Sequence, residues 1–193
     1  QTVSSMKPLS VVAPGIDSGK ITAASVFDDV PYKNYKNYNY FKGLLTIRYA
    51  IESSQNIPML KAIQVVGVDN SLKFLKSLGF SHLDDEKDNN IGIALGGLTN
   101  GATPLEMAAA YGAIANDGVY IEPTFYTKVV DGNGNTVFEP KQESRTVMSA
   151  SAAYVVKEIL TQPVKSGTST TLAMSGMSVA AKTGTTNDDY DRW

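Results

Sequence analysis

Two serine–lysine or lysine–hydroxyl groupings, near opposite ends of the 193-residue chain, have the residue types that nucleophilic chemistry needs. Near the start, Ser4 and Lys7 lie three residues apart in Ser4-Ser5-Met6-Lys7-Pro8, ahead of an apolar run. Ser4 and Ser5 suit a helix start, and Pro8 is tolerated in a first turn, where backbone N–H groups have no intrahelical partner. The spacing puts Ser4 and Lys7 on one face. A serine hydroxyl becomes a good nucleophile when a base takes its proton. A lysine can be that base if burial or a neighbouring cation lowers its pKa. Near the end, Val179-Ala180-Ala181-Lys182-Thr183-Gly184-Thr185-Thr186 reads as a buried strand with a hydroxyl-lined edge. Gly184 removes a side chain where something must approach the backbone closely. Lys182 with Thr183, Thr185 and Thr186 makes a cradle for a carboxylate or an oxyanion. Between these, Ser54-Gln55-Asn56 sets a hydroxyl and an amide on a tight connection between helices. The hydroxyl can relay a proton, and the amide can bind a substrate amide or orient a lysine. Taken singly, each stretch also fits a plain helix cap or a solvated strand end.

The elements that must position these groups follow from patterning. Residues 18–41 are polar, with Tyr32, Tyr35, Tyr38 and Tyr40 interleaved by Asn34, Asn37 and Asn39, and read as a long ordered loop. A helix is expected over 43–53, with Thr46 a plausible cap, and a second from Ile57 and Pro58 through Val66. Asp69 is expected to cap a third, which Gly79 stops. Thr103-Pro104-Leu105-Glu106 opens a small-residue helix that Asn116-Asp117-Gly118 ends. A surface hairpin is expected around residues 131–134. Ser149 caps a last helix ending before Pro163, and Ser166-Gly167-Thr168 begins a hydroxyl-rich loop.

Composition narrows the chemistry. Net charge is −2 with no basic block, which argues against nucleic acid as a partner. There is no cysteine, so disulfides and thiolate metal sites are excluded; this suits an exported domain. The single histidine, His82, would have to serve any Ser-His-Asp triad, and it reads as part of a surface turn; a multi-histidine metal site is impossible. No metal or cofactor is expected. No apolar run is long enough to span a bilayer.

Ser4-x-x-Lys7, Ser54-x-Asn56 and Lys182-Thr183-Gly184, in that order, resemble the three motifs of penicillin-binding proteins and serine β-lactamases. The surrounding text is more specific. Ser4-Ser5-Met6-Lys7-Pro8, residues 45–58, Thr103 to Tyr111, Ala115-Asn116-Asp117-Gly118 and Lys182 to Asp188 resemble the D,D-transpeptidase domain of bifunctional class A penicillin-binding proteins, and the resemblance covers essentially the whole chain. It implies an α+β, β-lactamase/transpeptidase-like fold, with a helical subdomain packed beside an antiparallel sheet. It also implies that residues 1–193 are part of one such domain, incomplete at both ends, with most sheet strands outside the chain.

Position by position, the resemblance implies Ser4 as nucleophile on the penultimate D-Ala carbonyl of a stem peptide and Lys7 as its base. Ser54 shuttles a proton, and Asn56 holds Lys7 and the substrate amide. Lys182 assists the relay. Thr183, Gly184 and Thr185 bind the substrate, the two threonines at its terminal carboxylate. The backbone N–H groups of Ser4 and Thr185 form the oxyanion hole. The implied partners are D-Ala-D-Ala stem peptides, β-lactams and the rest of a parent protein carrying a glycosyltransferase domain and the remaining strands. The implied location is the extracytoplasmic face of a bacterial membrane, anchored by a segment outside this chain. Val3 departs from the family, which usually has glycine just before the nucleophile. A serine β-lactamase is a rival reading, but none of Glu86, Glu106, Glu122, Glu139, Glu143 and Glu158 sits in the Glu-x-x-Asn setting of a deacylation loop. A non-catalytic β-lactam sensor is a second rival, since its acylating residues would be the same.

Overall fold

The computed structural model describes residues 2–186 and 192–193. Asn187 and Asp188, which close the last resembling segment, and Asp191 lie outside these residues.

The chain opens with one helical run in three pieces: a 3-10 turn (Val3–Met6), a π-helical turn (Pro8–Val12) and α1 (Ala13–Asp17). Pro8 begins the π turn, where its missing N–H is not needed. Met6, Leu9, Val12 and Ala13 are fully buried in one cluster with Ile51, Leu60, Ile63, Leu75 and Ile159, so this run is the spine of the core. Ser10, buried with it, donates its Oγ hydrogen to Met6 O at 3.1 Å, which meets the demand that burial places on a polar group.

The run begins under strain. Val3 has φ +47°, in the left-handed region that a β-branched side chain enters at a cost of about 1–2 kcal/mol. Gly96, at the end of a 3-10 turn (Ile91–Leu95), lies against it: a Cβ on Gly96 would stand 2.4 Å from Val3 O. The place where the sequence departs from glycine is thus a place where glycine would relax the backbone.

Two expectations between residues 18 and 53 are corrected. The stretch read as loop contains strand β1 (Val26–Asp29), and the stretch read as helix begins as strand β2 (Gly43–Thr46), paired antiparallel with it. Leu44, counted toward a helical face, is an exposed strand residue, and inward Leu45 is its buried neighbour; two-residue alternation over four positions is too short to read. Thr46 then caps α2 (Ile47–Glu52), accepting from Tyr49 N at 3.2 Å.

The helices otherwise fall close to expectation. α3 (Ile57–Val66) and α4 (Val68–Ser77) are joined by Gly67 at φ +91°, so Gly67 is the cap and Asp69 sits in the first turn, where a carboxylate favours the helix dipole. α5 (Pro104–Ala115) has a complete capping box between Thr103 and Glu106. Strand β3 (Val119–Ile121) pairs antiparallel with β6 (Ser144–Thr146), a pair the sequence reading did not include; the hairpin is β4 (Val129–Val130) with β5 (Thr136–Phe138). α6 (Ala150–Lys165) is capped by Ser149 and runs through Pro163, three residues further than expected. The described residues thus form a helical core flanked by three two-stranded antiparallel pairs.

Exchanging Val3 for glycine removes the strain but adds chain entropy to the unfolded state. The Val3→Gly chain is expected to be more stable by roughly 1 kcal/mol, read as a rise in the urea unfolding midpoint; a lower midpoint would mean that the valine's packing outweighs its backbone strain.

Candidate active site

Lys7 is the centre of the site. It is fully buried on the first helical run. Its Nζ donates to Asn56 Oδ1 at 2.7 Å, to Ser54 O at 2.8 Å and to Ser54 Oγ at 3.4 Å. Ser54 and Asn56 reach it because the α2–α3 connection is tight: Ser54 takes φ +55° and Ser54 N donates to Ile51 O, so the turn folds back over α2. Lys182 approaches from the other side. Its Nζ donates to Ser54 Oγ at 2.8 Å and to Thr183 O at 3.0 Å. Ser54 Oγ therefore lies between two amines. Among the described residues no carboxylate pairs with either amine.

Without a counter-ion, burial disfavours the charged forms. Burial holds Lys7 well below the usual lysine range, and the charge on Lys182 pushes it further down. Burial lowers Lys182 to about 7. Both conditions that let lysine act as a base, burial and a neighbouring cation, are met at Lys7.

The third stretch was expected to be a buried strand. Residues 178–184 form no strand and are held by Ala181 N on Leu160 O at 3.0 Å. Lys182 and Gly184 face inward, with Thr183 between them half-buried. Gly184 and Trp193 exchange two backbone bonds, 3.0 and 2.8 Å. In an antiparallel pair the next residue turns its N–H to the other edge, so Thr185, opposite Arg192, has its N–H directed away from that partner. Gly184 does permit a close backbone approach, and the approaching group is the chain's own Thr2–Ser5 turn. A Cβ there would stand 2.7 Å from Thr2 O and 3.1 Å from Ser5 N.

The structure brings together Ser4 (half-buried, one turn ahead of Lys7), Lys7, Ser54, Asn56, Lys182, Thr183 and Gly184, with Thr185 exposed at the rim. His82 stays outside: its partners are Ser81 and Glu106 at the start of α5. Several supporting residues had no sequence signal of their own. Tyr111 OH donates to Ser5 O at 2.7 Å and fixes the Thr2–Ser5 turn from α5. Thr183 Oγ1 donates to Thr168 Oγ1 at 2.9 Å. Asn37 and the Lys36 carbonyl engage Asn56 from the tyrosine-rich loop.

A serine one helical turn ahead of an amine whose pKa burial lowers, with a second amine on the same Ser54 hydroxyl, has the residue types that acyl transfer through a serine ester needs. The family comparison gives the same class. The model described as the penicillin binding protein transpeptidase domain matches residues 3–192, and the chain belongs to that family. It is 34% identical over 205 residues to penicillin-binding protein 1A of Clostridium botulinum, covering 98% of this chain and 25% of that protein. It is 35% identical over 196 residues to penicillin-binding protein 1A/1B of Bacillus subtilis, covering 98% and 21%. Among solved structures, the D,D-transpeptidase domain of a peptidoglycan glycosyltransferase from Eggerthella lenta superposes with a TM-score of 0.83 at 25% identity, over 99% of this chain and 55% of that one. Penicillin-binding protein 1A from Haemophilus influenzae gives 0.81 at 26%, over 97% and 34%. The fold is therefore α+β and transpeptidase-like, and the chain spans about a quarter or less of those two curated relatives.

The Gly184 contact carries a direct test. Gly184→Ala forces the third stretch away from the Thr2–Ser5 backbone, and displacement of that order costs about 100-fold in a reaction that needs aligned groups. The variant is expected to react with benzylpenicillin about 100-fold more slowly, in a stopped-flow or quenched mass-spectrometric assay. An unchanged rate would show that this contact does not set the site's geometry.

Proposed function

We propose that the chain carries the acylating centre of a peptidoglycan D,D-transpeptidase. The observation that carries this reading is the buried Lys7 amine, held on Asn56 and Ser54 one turn after Ser4, with Lys182 on the far side of Ser54. Ser4 Oγ attacks the penultimate D-Ala carbonyl carbon of a stem peptide, and Lys7 takes the hydroxyl proton. The tetrahedral oxyanion is met by the N–H groups of Ser4 and Thr185. Lys182 and Thr183 and Thr185 hold the substrate carboxylate beside Gly184. The C–N bond then breaks, and Ser54, bridging the two amines, passes a proton to the departing D-Ala nitrogen. An amine on a second stem peptide attacks the ester, the C–O bond to Ser4 breaks, and Ser4 recovers its proton. A β-lactam enters the first half of this cycle and stops at the ester.

This reading favours transfer over hydrolysis because, among the described residues, no carboxylate reaches Ser4, Lys7, Ser54 or Lys182 to activate water. Glu106 is engaged by Ser81 and Thr103, and Glu158 by Arg48. The extracytoplasmic location, the anchor, the glycosyltransferase domain and the remaining strands of a parent protein go with the same proposal. Among the described residues no helix is long and apolar enough to cross a membrane.

Intact mass after mixing with benzylpenicillin is the test. One adduct on Ser4 lasting many minutes is expected, none on Ser4→Ala, and almost none on Lys7→Ala. Turnover within seconds would point to a β-lactamase, and a persistent adduct with no cross-linking of stem peptides to a sensor.

The two lysines also set a pH profile. At low pH both are protonated and Lys7 cannot accept the serine proton, so acylation rises as Lys7 loses its proton. It falls again near pH 7, where Lys182 loses the proton that serves the relay. A bell is expected. Because the Lys182 charge depresses Lys7, Lys182→Ala is expected to move the rising limb to higher pH, and a limb that stays put would separate the two groups.

A further inference from the structure

The tyrosine-rich loop between β1 and β2 does more than close a connection. Asp29 at the end of β1 is completely buried, and both its carboxylate oxygens are used. Oδ1 accepts from Asn37 Nδ2 at 2.8 Å, and Oδ2 from Lys42 N at 3.0 Å, so one carboxylate gathers the two sides of the loop. Asn37 is thereby fixed in orientation, with its carbonyl oxygen turned to the start of α3. That oxygen accepts from Asn56 N at 2.9 Å and from Ile57 N at 3.3 Å. It caps α3 from a distant part of the chain, which explains why Asn56 makes no side-chain cap of its own. The adjacent residue completes the arrangement: Lys36 O accepts from Asn56 Nδ2 at 2.8 Å.

Asn56 is held at both backbone and side chain. With Nδ2 on Lys36 O, its Oδ1 can only face the other way, where Lys7 Nζ sits at 2.7 Å. One hydrogen of Nδ2 is left for a substrate carbonyl.

We propose that Asn37, locked by Asp29, is a positioning residue for acyl transfer: it sets the orientation of Asn56 and through it the place of the Lys7 amine. This rests on the acyl-transfer reading above. The partners of the Asn37 side chain are Asp29 and the Asn56 and Ile57 amides, so its effect on rate passes through the start of α3 and Asn56.

The pair allows a test by exchange. Asn37→Asp sets two carboxylates against each other and so drives the capping side chain from its seat, while Asp29→Asn leaves Asn37 Nδ2 facing an amide that can turn either way. In the Asp29→Asn/Asn37→Asp double variant donor and acceptor are swapped and every bond can be remade. In the full chain, two quantities are measured: hydrogen exchange at the Asn56 and Ile57 amides, which reads the clamp without any reaction, and the second-order rate of acylation by benzylpenicillin. Asn37→Ala and Asn37→Asp are expected to lose protection at those amides and to acylate about 10- to 100-fold more slowly, with the double variant recovering most of both. Faster exchange with an unchanged acylation rate would overturn the proposal and leave the acyl-transfer reading intact. Failure of the double variant to recover the rate while it recovers protection would also overturn it. If the unaltered chain keeps its amide protection yet never forms a Ser4 adduct, the acyl-transfer reading falls, and the proposal with it.

Discussion

The structure depends on an amine that has been taken out of water with no anion among the described residues to meet it. Lys7 is surrounded by core side chains and by three oxygen acceptors, Asn56 Oδ1, Ser54 O and Ser54 Oγ. Those acceptors satisfy its N–H groups but do not neutralise a charge, so burial, with the Lys182 charge nearby, holds its pKa well below the usual lysine range. Every motif answers to this group. The first supplies it, the second supplies its acceptors, and the third brings a second amine to the shared hydroxyl of Ser54.

Holding these parts together is a matter of close backbone approach. The Thr2–Ser5 turn is pressed by Gly96 on one side and Gly184 on another, and Tyr111 fixes its Ser5 carbonyl. The left-handed Val3 is tolerated inside that clamp. Strain at a site persists only where the surroundings over-determine it, and here two glycine backbones and a buried phenol do so.

What could be read from the sequence divides along physical lines. A helical run through Ser4 and Lys7 was legible because the serines and Pro8 mark a helix start, although Thr2 is the cap residue, and the Ser54-x-Asn56 connection because it lies between two helices. The resemblance added what spacing could not, the order and joint meaning of three separated stretches. β1 and β2 were lost because their alternation is only four residues long and is set by pairing with each other. Gly184 was read rightly as a point of close approach, but nothing local could say that the neighbour is the chain itself, 179 or more residues away in sequence. Asn37 stood out only as one of several asparagines among tyrosines; its partners, Asp29 and Asn56, lie on either side at distances that carry no period.

The buried amines also couple the site to folding. In the unfolded chain Lys7 and Lys182 are ordinary lysines, protonated up to about pH 10.4; in the folded chain both hold their protons less tightly. Between about 7, where folded Lys182 titrates, and the unfolded value, the unfolded state binds more protons, so this pair makes stability rise with pH across that window. Below the folded values both states are charged and the cost of burying the charge is felt in full. Folding near the alkaline side of neutrality therefore expels protons from the core, and the heat of refolding depends on which buffer receives them.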